Sequence, residues 1–405
     1  MSHRSFRWTM LGLAIAMLAG SLFVRSLPAQ APKPTTMEAP KPEAGDEDPE
    51  APAQVVTSQP ATAPKAPTTA TSQPRTALDI LIDKAGKEPP AWWDSVKLTI
   101  PQGMDLTWGA RPPGPWNPNK NVSQYYISVI NPNPARHQEG CKLMQHILTT
   151  NKDNPAVQQR AMAMLGRIYA VYLQDYARGA FWYRKAAKGA ALNGVDIADL
   201  AFCYWKLGAK DVALAEIAGA TQLSTRAIRV LGSMGEVDRA AELAKKIGGT
   251  FPDDAYLAAG DAYRYNGRDA EAVVWYQKVL ALRPPTSKAP TRMSRYQARA
   301  TVNIQILKLC EKFDLKQVVD GAYQVESNGY RGPIKVEVAV TAGKIDRVKI
   351  VANKDDWPLN ALVNVPAQII EKQSVKGIDM VSGATFTSEA IINATGKALG
   401  SAPKK

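Results

Sequence analysis

The stretch "DMVSGATFTS", Asp379 to Ser388, concentrates the residue types of this chain that suit chemistry on an anion. Ser382, Thr385 and Thr387 supply hydroxyls, and Asp379 supplies one acid in front of them. Gly383 and Ala384 keep side chains out of the way, so a large ligand or an enzyme can approach the backbone. The following run "SEAIINATGKALG" reads as a helix ending near Gly400. The loop thus lies at a helix N-terminus, where unpaired N–H groups and the helix dipole favour an anion, phosphate above all. From the residues alone, this is a phosphate-binding turn or a modification site.

Other candidate chemistry is sparse. Cys141, Cys203 and Cys310 lie far apart, and neither CxxC nor CxxCH occurs. That spacing argues against haem attachment, a zinc ribbon and a cysteine-ligated iron–sulfur cluster. It leaves room for one disulfide that the sequence does not assign. His137, Cys141 and His146 cluster in sequence, but no fourth ligand accompanies them, so they are read as helix-packing residues. No nucleophile–base pair and no nicotinamide fingerprint is present.

The elements that must position the loop begin at Lys316, where composition changes. Ile334, Val336, Val338 and Val340 alternate with Lys335, Glu337 and Ala339, the two-residue period of a strand with one buried face. "TAGK" reads as a turn, and Ile345, Val348 and Ile350 continue into a return strand. "VPAQIIEKQS" reads as a helix, with a short strand or loop leading on to Asp379. Residues 316–402 are therefore expected to form a small α+β domain.

Residues 155–315 carry a different pattern. Leu200, Ala201, Tyr204, Gly208, Ala213, Ile217 and Ala220 recur at matching offsets as Ala259, Gly260, Tyr263, Gly267, Ala272, Tyr276 and Val279. Small residues let paired helices approach, an aromatic fills the gap, and glycine turns the chain. About four helix pairs are expected between Pro155 and Pro285, with a closing helix in "TRMSRYQARATVNIQILKLCEKF". Such arrays bind protein partners on their concave face or serve as spacers. The fold class is thus multidomain: an all-α helical repeat plus a small α+β domain. Residues 76–154 are rich in Trp and Pro, with a short helix in "LDILIDKAG" and at most one short strand. There Trp92, Trp93, Trp108 and Trp116 are read as capping the neighbouring repeat core, with ligand stacking as the alternative.

At the other end, Arg4 and Arg7 precede an apolar run from Trp8 to Val24, the pattern of a secretory signal. Cleavage after Ala29 or Ala31 and retention as a membrane anchor both stay open for residues 1–31. "LAGS" carries Ser21 where a lipidated cysteine would stand. Residues 32–75, dominated by Pro, Ala and Thr, are expected to form an extended linker. This layout predicts an exported, periplasmic or cell-envelope protein with membrane association. The net charge of +13 favours acidic partners or anionic surfaces. With the basic residues scattered and no nucleic-acid motif present, nucleic acid is not an expected partner.

The form D-x-x-S-G-A-T in "DMVSGATFTS" resembles the flavinylation motif of the FMN-binding domain family. That family includes the C subunit of the sodium-pumping NADH:quinone reductase and the G subunit of the Rnf complex. "DGAYQVESNGYRGPIKVEVAV" and "TSEAIINA" resemble the same domain, so the likeness spans about Val318 to Leu399. The repeats resemble tetratricopeptide and Sel1-like units. The resemblance implies FMN as cofactor, moved from FAD by a flavin transferase onto Thr385 as a phosphoester. It implies Asp379, Ser382, Gly383 and Ala384 as the recognition loop. Thr387 would bond the phosphate and is the second choice as acceptor, and Tyr330 and Gly332 would neighbour the flavin. Where members often carry a Gly-rich stretch, this chain has "NKDDWPLNAL", in which Trp357 is a ring-stacking or core residue. The implied role is electron transfer between redox partner proteins, rather than turnover of a substrate of its own. The alternative is a non-redox repeat scaffold with an unmodified or noncovalent FMN domain.

Overall fold

The computed structural model describes residues 77–405 apart from 109–114, 284–291, 312–313, 356–359 and 382. The expected leader and linker, Trp357 and Ser382 lie outside the described residues. No helix among the described residues is long and apolar enough to cross a membrane.

The first part has little regular structure. Helix α1 (Ala77–Lys87) is followed by irregular chain, the short α2 (Val122–Tyr125), a π-helical turn at Tyr126–Ile130 and α3 (His137–Thr150). No strand forms there among the described residues; an isolated bridge joins Asp105 to Asn121. Trp108 is buried, and Trp92 stacks on Tyr169 at 6.5 Å. Trp116 stays exposed. His137 stacks on Tyr172 at 4.8 Å, and burial pushes the Cys141 thiol up. The three cysteines are unpaired, and no metal-holding group of His, Cys, Asp or Glu occurs among the described residues.

Helix pairs follow in register with the sequence pattern. They are α4 (Pro155–Arg167) with α5 (Tyr176–Gly189), and α6 (Gly194–Lys206) with α7 (Lys210–Gly219). Next come α8 (Thr225–Ser233) with α9 (Val237–Ile247), and α10 (Pro252–Tyr265) with α11 (Asp269–Leu280). The closing helix is α12 (Arg292–Glu311). Asn154, Asp175 and Asn193 begin α4, α5 and α6 by accepting from first-turn N–H groups, which ends each preceding loop. Gly208, Gly235 and Gly267 turn the chain within their pairs at φ of 85°, 82° and 72°. At Gly260 the close approach is visible directly: a Cβ there would fall 2.4 Å from the Tyr276 ring.

The C-terminal part is a three-stranded antiparallel meander, β1 (Gly321–Asn328), β2 (Pro333–Thr341) and β3 (Lys344–Ala352). Val336 stands opposite Val325 and Ile350, and Val338 opposite Tyr323 and Val348, so the apolar residues of the three strands share one face. That face is covered by α13 (Ala361–Lys372) and α14 (Thr385–Ser401). Helix α13 starts four residues before the expected run, and α14 starts at Thr385 rather than Ser388.

Helix α14 also packs on α12, the two running parallel. Arg299 meets Glu389, Asn303 meets Asn393, and Ile306 lies against Gly396. A buried polar cluster ties this seam to the last repeat. Arg299 Nε donates to Glu389 and its Nη2 lies 3.6 Å from Asp261, whose other oxygen accepts from the Tyr276 hydroxyl at 2.9 Å. Arg264 donates to both Asn303 (3.0 Å) and Asn393 (2.9 Å).

Burial, and then the Glu389 carboxylate, raise Asp261 from its ordinary 3.8 to about 6, against the pull of Arg299 and Arg229. A raised folded-state value means that the folded chain binds this proton more tightly than the unfolded chain. The Asp261 contribution is therefore fully present below 3.8 and lost as pH rises through about 6. Comparing thermal midpoints of the wild type and Asp261→Asn between pH 4 and about 8 is expected to show this slope in the wild type and a flatter curve in the variant.

Candidate functional site

Two elements bring the site together, the β1–β2 hairpin loop and the first turn of α14. The loop "GYRG" is closed by the Gly329 N–H donating to the Gly332 carbonyl at 2.8 Å. Its neighbour is Asp355, buried just beyond β3. Asp355 accepts from the Arg331 N–H at 2.7 Å with one oxygen and from the Thr387 hydroxyl at 2.6 Å with the other. Its own N–H donates to Asn353 at 3.0 Å. One carboxylate thus pins the hairpin loop to the start of α14. Gly329 leaves space for it: a Cβ there would fall 2.5 Å from the Asp355 oxygen.

The motif loop is wired to the helix that follows. The Ala384 N–H donates to the Val381 carbonyl at 2.9 Å, a turn that places Gly383 at φ 81°. Ser388 accepts from the Val381 N–H at 3.0 Å and donates to the Ala384 carbonyl at 2.8 Å. The buried Ser388 hydroxyl therefore holds the loop from below while Thr385 stays partly exposed above. Ala384 precedes α14 without a side-chain cap hydrogen bond, so among the described residues no N-cap side chain closes the start of that helix.

The two threonines separate by burial. Thr385 is the first residue of α14 and partly exposed. Thr387 is 2% exposed, with its hydroxyl spent on Asp355. Tyr330 and Gly332 are partly buried in the hairpin loop, and the Tyr330 ring meets Phe386 edge-on at 5.6 Å. Phe386 is partly exposed beside Thr385 and meets Tyr296 of α12 at 5.8 Å. The Arg299 guanidinium lies 3.9 Å over the Phe386 ring. Asp379, at the other end of the loop, faces the repeats and pairs with Lys206 at 3.0 Å.

Sequence reasoning missed Asp355, Phe386 and Ser388. Phe386 and Ser388 stand inside the quoted motif, and the early start of α14 is what gives each its face. No local pattern marks Asp355.

These residues fit FMN. Uncapped helix N–H groups and a glycine turn suit a phosphate, and two partly exposed aromatic rings beside them suit a flat tricyclic ring.

Residues 329–400 match the family model of the FMN-binding domain, and residues 253–286 match a tetratricopeptide repeat, the α10–α11 pair. The chain carries an FMN-binding domain preceded by tetratricopeptide repeats. It is also similar to an uncharacterized protein of Treponema pallidum (strain Nichols), 34% identical over 111 residues. That alignment covers 27% of this chain and 31% of the relative, so the chain spans under a third of that protein's length. No solved structure matches.

Proposed function

We propose that this protein is an electron-transfer flavoprotein whose FMN is attached through its phosphate to Thr385. The observation that carries this reading is the contrast between the two threonines of the motif. Thr385 is accessible at an uncapped helix start, whereas the Thr387 hydroxyl is buried on Asp355. In the attachment step Thr385 Oγ forms a new bond to the FMN phosphorus of FAD, and the phosphoanhydride bond breaks. AMP leaves with the electron pair, and the threonine proton passes to a base of the transferase or to solvent.

The FMN match and the aromatic pair Tyr330–Phe386 support the flavin, whose ring supplies reversible electron chemistry when bound. Linkage through phosphate leaves that ring electronically unchanged, so attachment serves retention. This suits an exported protein in the periplasm or cell envelope, which recaptures lost FMN poorly. Membrane tethering through residues 1–31 would raise the flavin's effective concentration near its redox partners. The repeats would dock a protein partner on the concave face.

The test is intact mass and in-gel fluorescence of the full chain co-expressed with a flavin transferase. One FMN adduct that survives denaturation is expected. A chain that stays unmodified beside an active transferase would refute attachment, and flavin released on denaturation would indicate noncovalent binding.

A further inference from the structure

The acid that opens the attachment motif belongs, by its contacts, to both halves of the molecule. Its backbone is clamped by Gln368 of α13, which accepts from the Asp379 N–H at 2.8 Å and donates to the Asp379 carbonyl at 3.0 Å. Its carboxylate reaches Lys206 of α6, 173 residues away in sequence, at 3.0 Å. Lys206 is itself held in place, its ammonium lying 4.4 Å from the Trp205 ring centre and 5.3 Å from that of Phe202. Both partners of the pair are only about a quarter exposed, at 26% and 28%, which shields the interaction from solvent screening. Tyr176 of α5 lies near enough for the Asp379 charge to add to burial in raising its phenol to about 12.

A second tie sits three residues earlier. Lys376 pairs with Asp269, at the start of α11, at 2.7 Å. The segment that leads into the attachment loop is therefore fastened to the repeats at two points. Beyond it the loop is fixed by Ser388 and by the Val381–Ala384 turn. Between these anchors lie the glycine turn and Thr385. An acceptor hydroxyl held in one place reacts faster than one on a wandering loop, because its orientational freedom has already been removed.

We propose that Lys206 is a positioning residue for flavin attachment: by anchoring the Asp379 carboxylate, the repeat array holds the loop that presents Thr385. The carboxylate is engaged within the chain, so its part in the motif is to shape the loop. This rests on the reading of Thr385 as acceptor. It gives the repeats a role inside the molecule, in addition to any docking of partners. Because the pair is partly exposed and Gln368 still holds the Asp379 backbone, removing the Lys206 charge is expected to leave the fold intact.

The test uses the full chain with purified flavin transferase and FAD, following the flavin-bearing fraction by intact mass over time. Lys206→Ala is expected to lower the initial rate about two- to fivefold, the size of one partly shielded ion pair. Lys206→Glu, which sets two carboxylates against each other, is expected to lower it about tenfold or more. Lys206→Arg should recover most of the rate. Lys210→Ala, which breaks the separate Lys210–Glu236 pair, should leave the rate unchanged. Thermal midpoints of all four variants should match the wild type, which separates positioning from folding. Wild-type rates in both Lys206→Ala and Lys206→Glu would overturn the proposal. Faster attachment would overturn it as well, since the ion pair would then be masking the loop. A wild-type chain that gains no flavin overturns the attachment reading and this proposal together, whereas slow variants beside a modified wild type uphold both.

Discussion

Arg299→Met is expected to destabilise the folded chain by about 3–5 kcal/mol at neutral pH, read as a loss of denaturant midpoint. Arg299 is buried, and so are the two carboxylates it serves, Asp261 and Glu389. Methionine fills similar volume, so the loss is electrostatic rather than a cavity. Asn303 and Tyr276 still donate to Glu389 and Asp261, but neither supplies charge. Asp261 would then shed its charge by binding a proton. The penalty should therefore shrink as pH falls through about 6, where Asp261 already titrates in the wild type. A double variant, Arg299→Met with Glu389→Leu, is expected to recover a large part of the loss, because it removes one unpaired acid along with its partner. A pH-independent penalty would place the effect in packing over Phe386, whose ring the guanidinium covers at 3.9 Å.

The parts of the fold written in periodic residues were readable, and the parts built from distant pairs were not. Ile334, Val336, Val338 and Val340 show a two-residue alternation, and all four are buried on the face covered by the helices. The repeat positions were equally plain, because Gly260 and Tyr276 each make sense only opposite the other. The sequence pattern starts α14 three residues late, at Ser388 rather than Thr385. Two β-branched threonines at its start lower helix propensity, while the compensating Ser388 bonds are tertiary in effect and leave no period. Asp355 was invisible for a stronger reason. Its partners Arg331 and Thr387 lie 24 and 32 residues away, so nothing near it in "NKDDWPLNAL" distinguishes it from a surface acid. The Lys206–Asp379 pair, across 173 residues, is the same case at greater range. The motif identifies where attachment chemistry would occur; how that loop is held depends on contacts from α13, α14 and α6 that leave no local pattern.

Thr385→Ala is expected to abolish the covalent adduct, and Thr385→Ser to retain it at reduced rate. The reasoning is steric and electrostatic together. Only a hydroxyl at the first position of α14 combines access with the uncapped N–H groups that stabilise phosphate charge. Serine keeps the nucleophilic oxygen but not the methyl group that restricts its rotamer. Thr387 provides the internal control. Its hydroxyl donates to Asp355 and is 2% exposed, so reaching a phosphorus would require the first turn of α14 to open. Thr387→Val should therefore keep the adduct while costing about 1–3 kcal/mol, because one oxygen of the buried Asp355 loses its donor. An adduct that persists in Thr385→Ala and disappears in Thr387→Val would reverse the assignment, and would mean that the Asp355 pin opens during attachment. Peptide mapping of the modified chain separates the two residues directly, and the melting temperature of each variant reports whether the pin was disturbed.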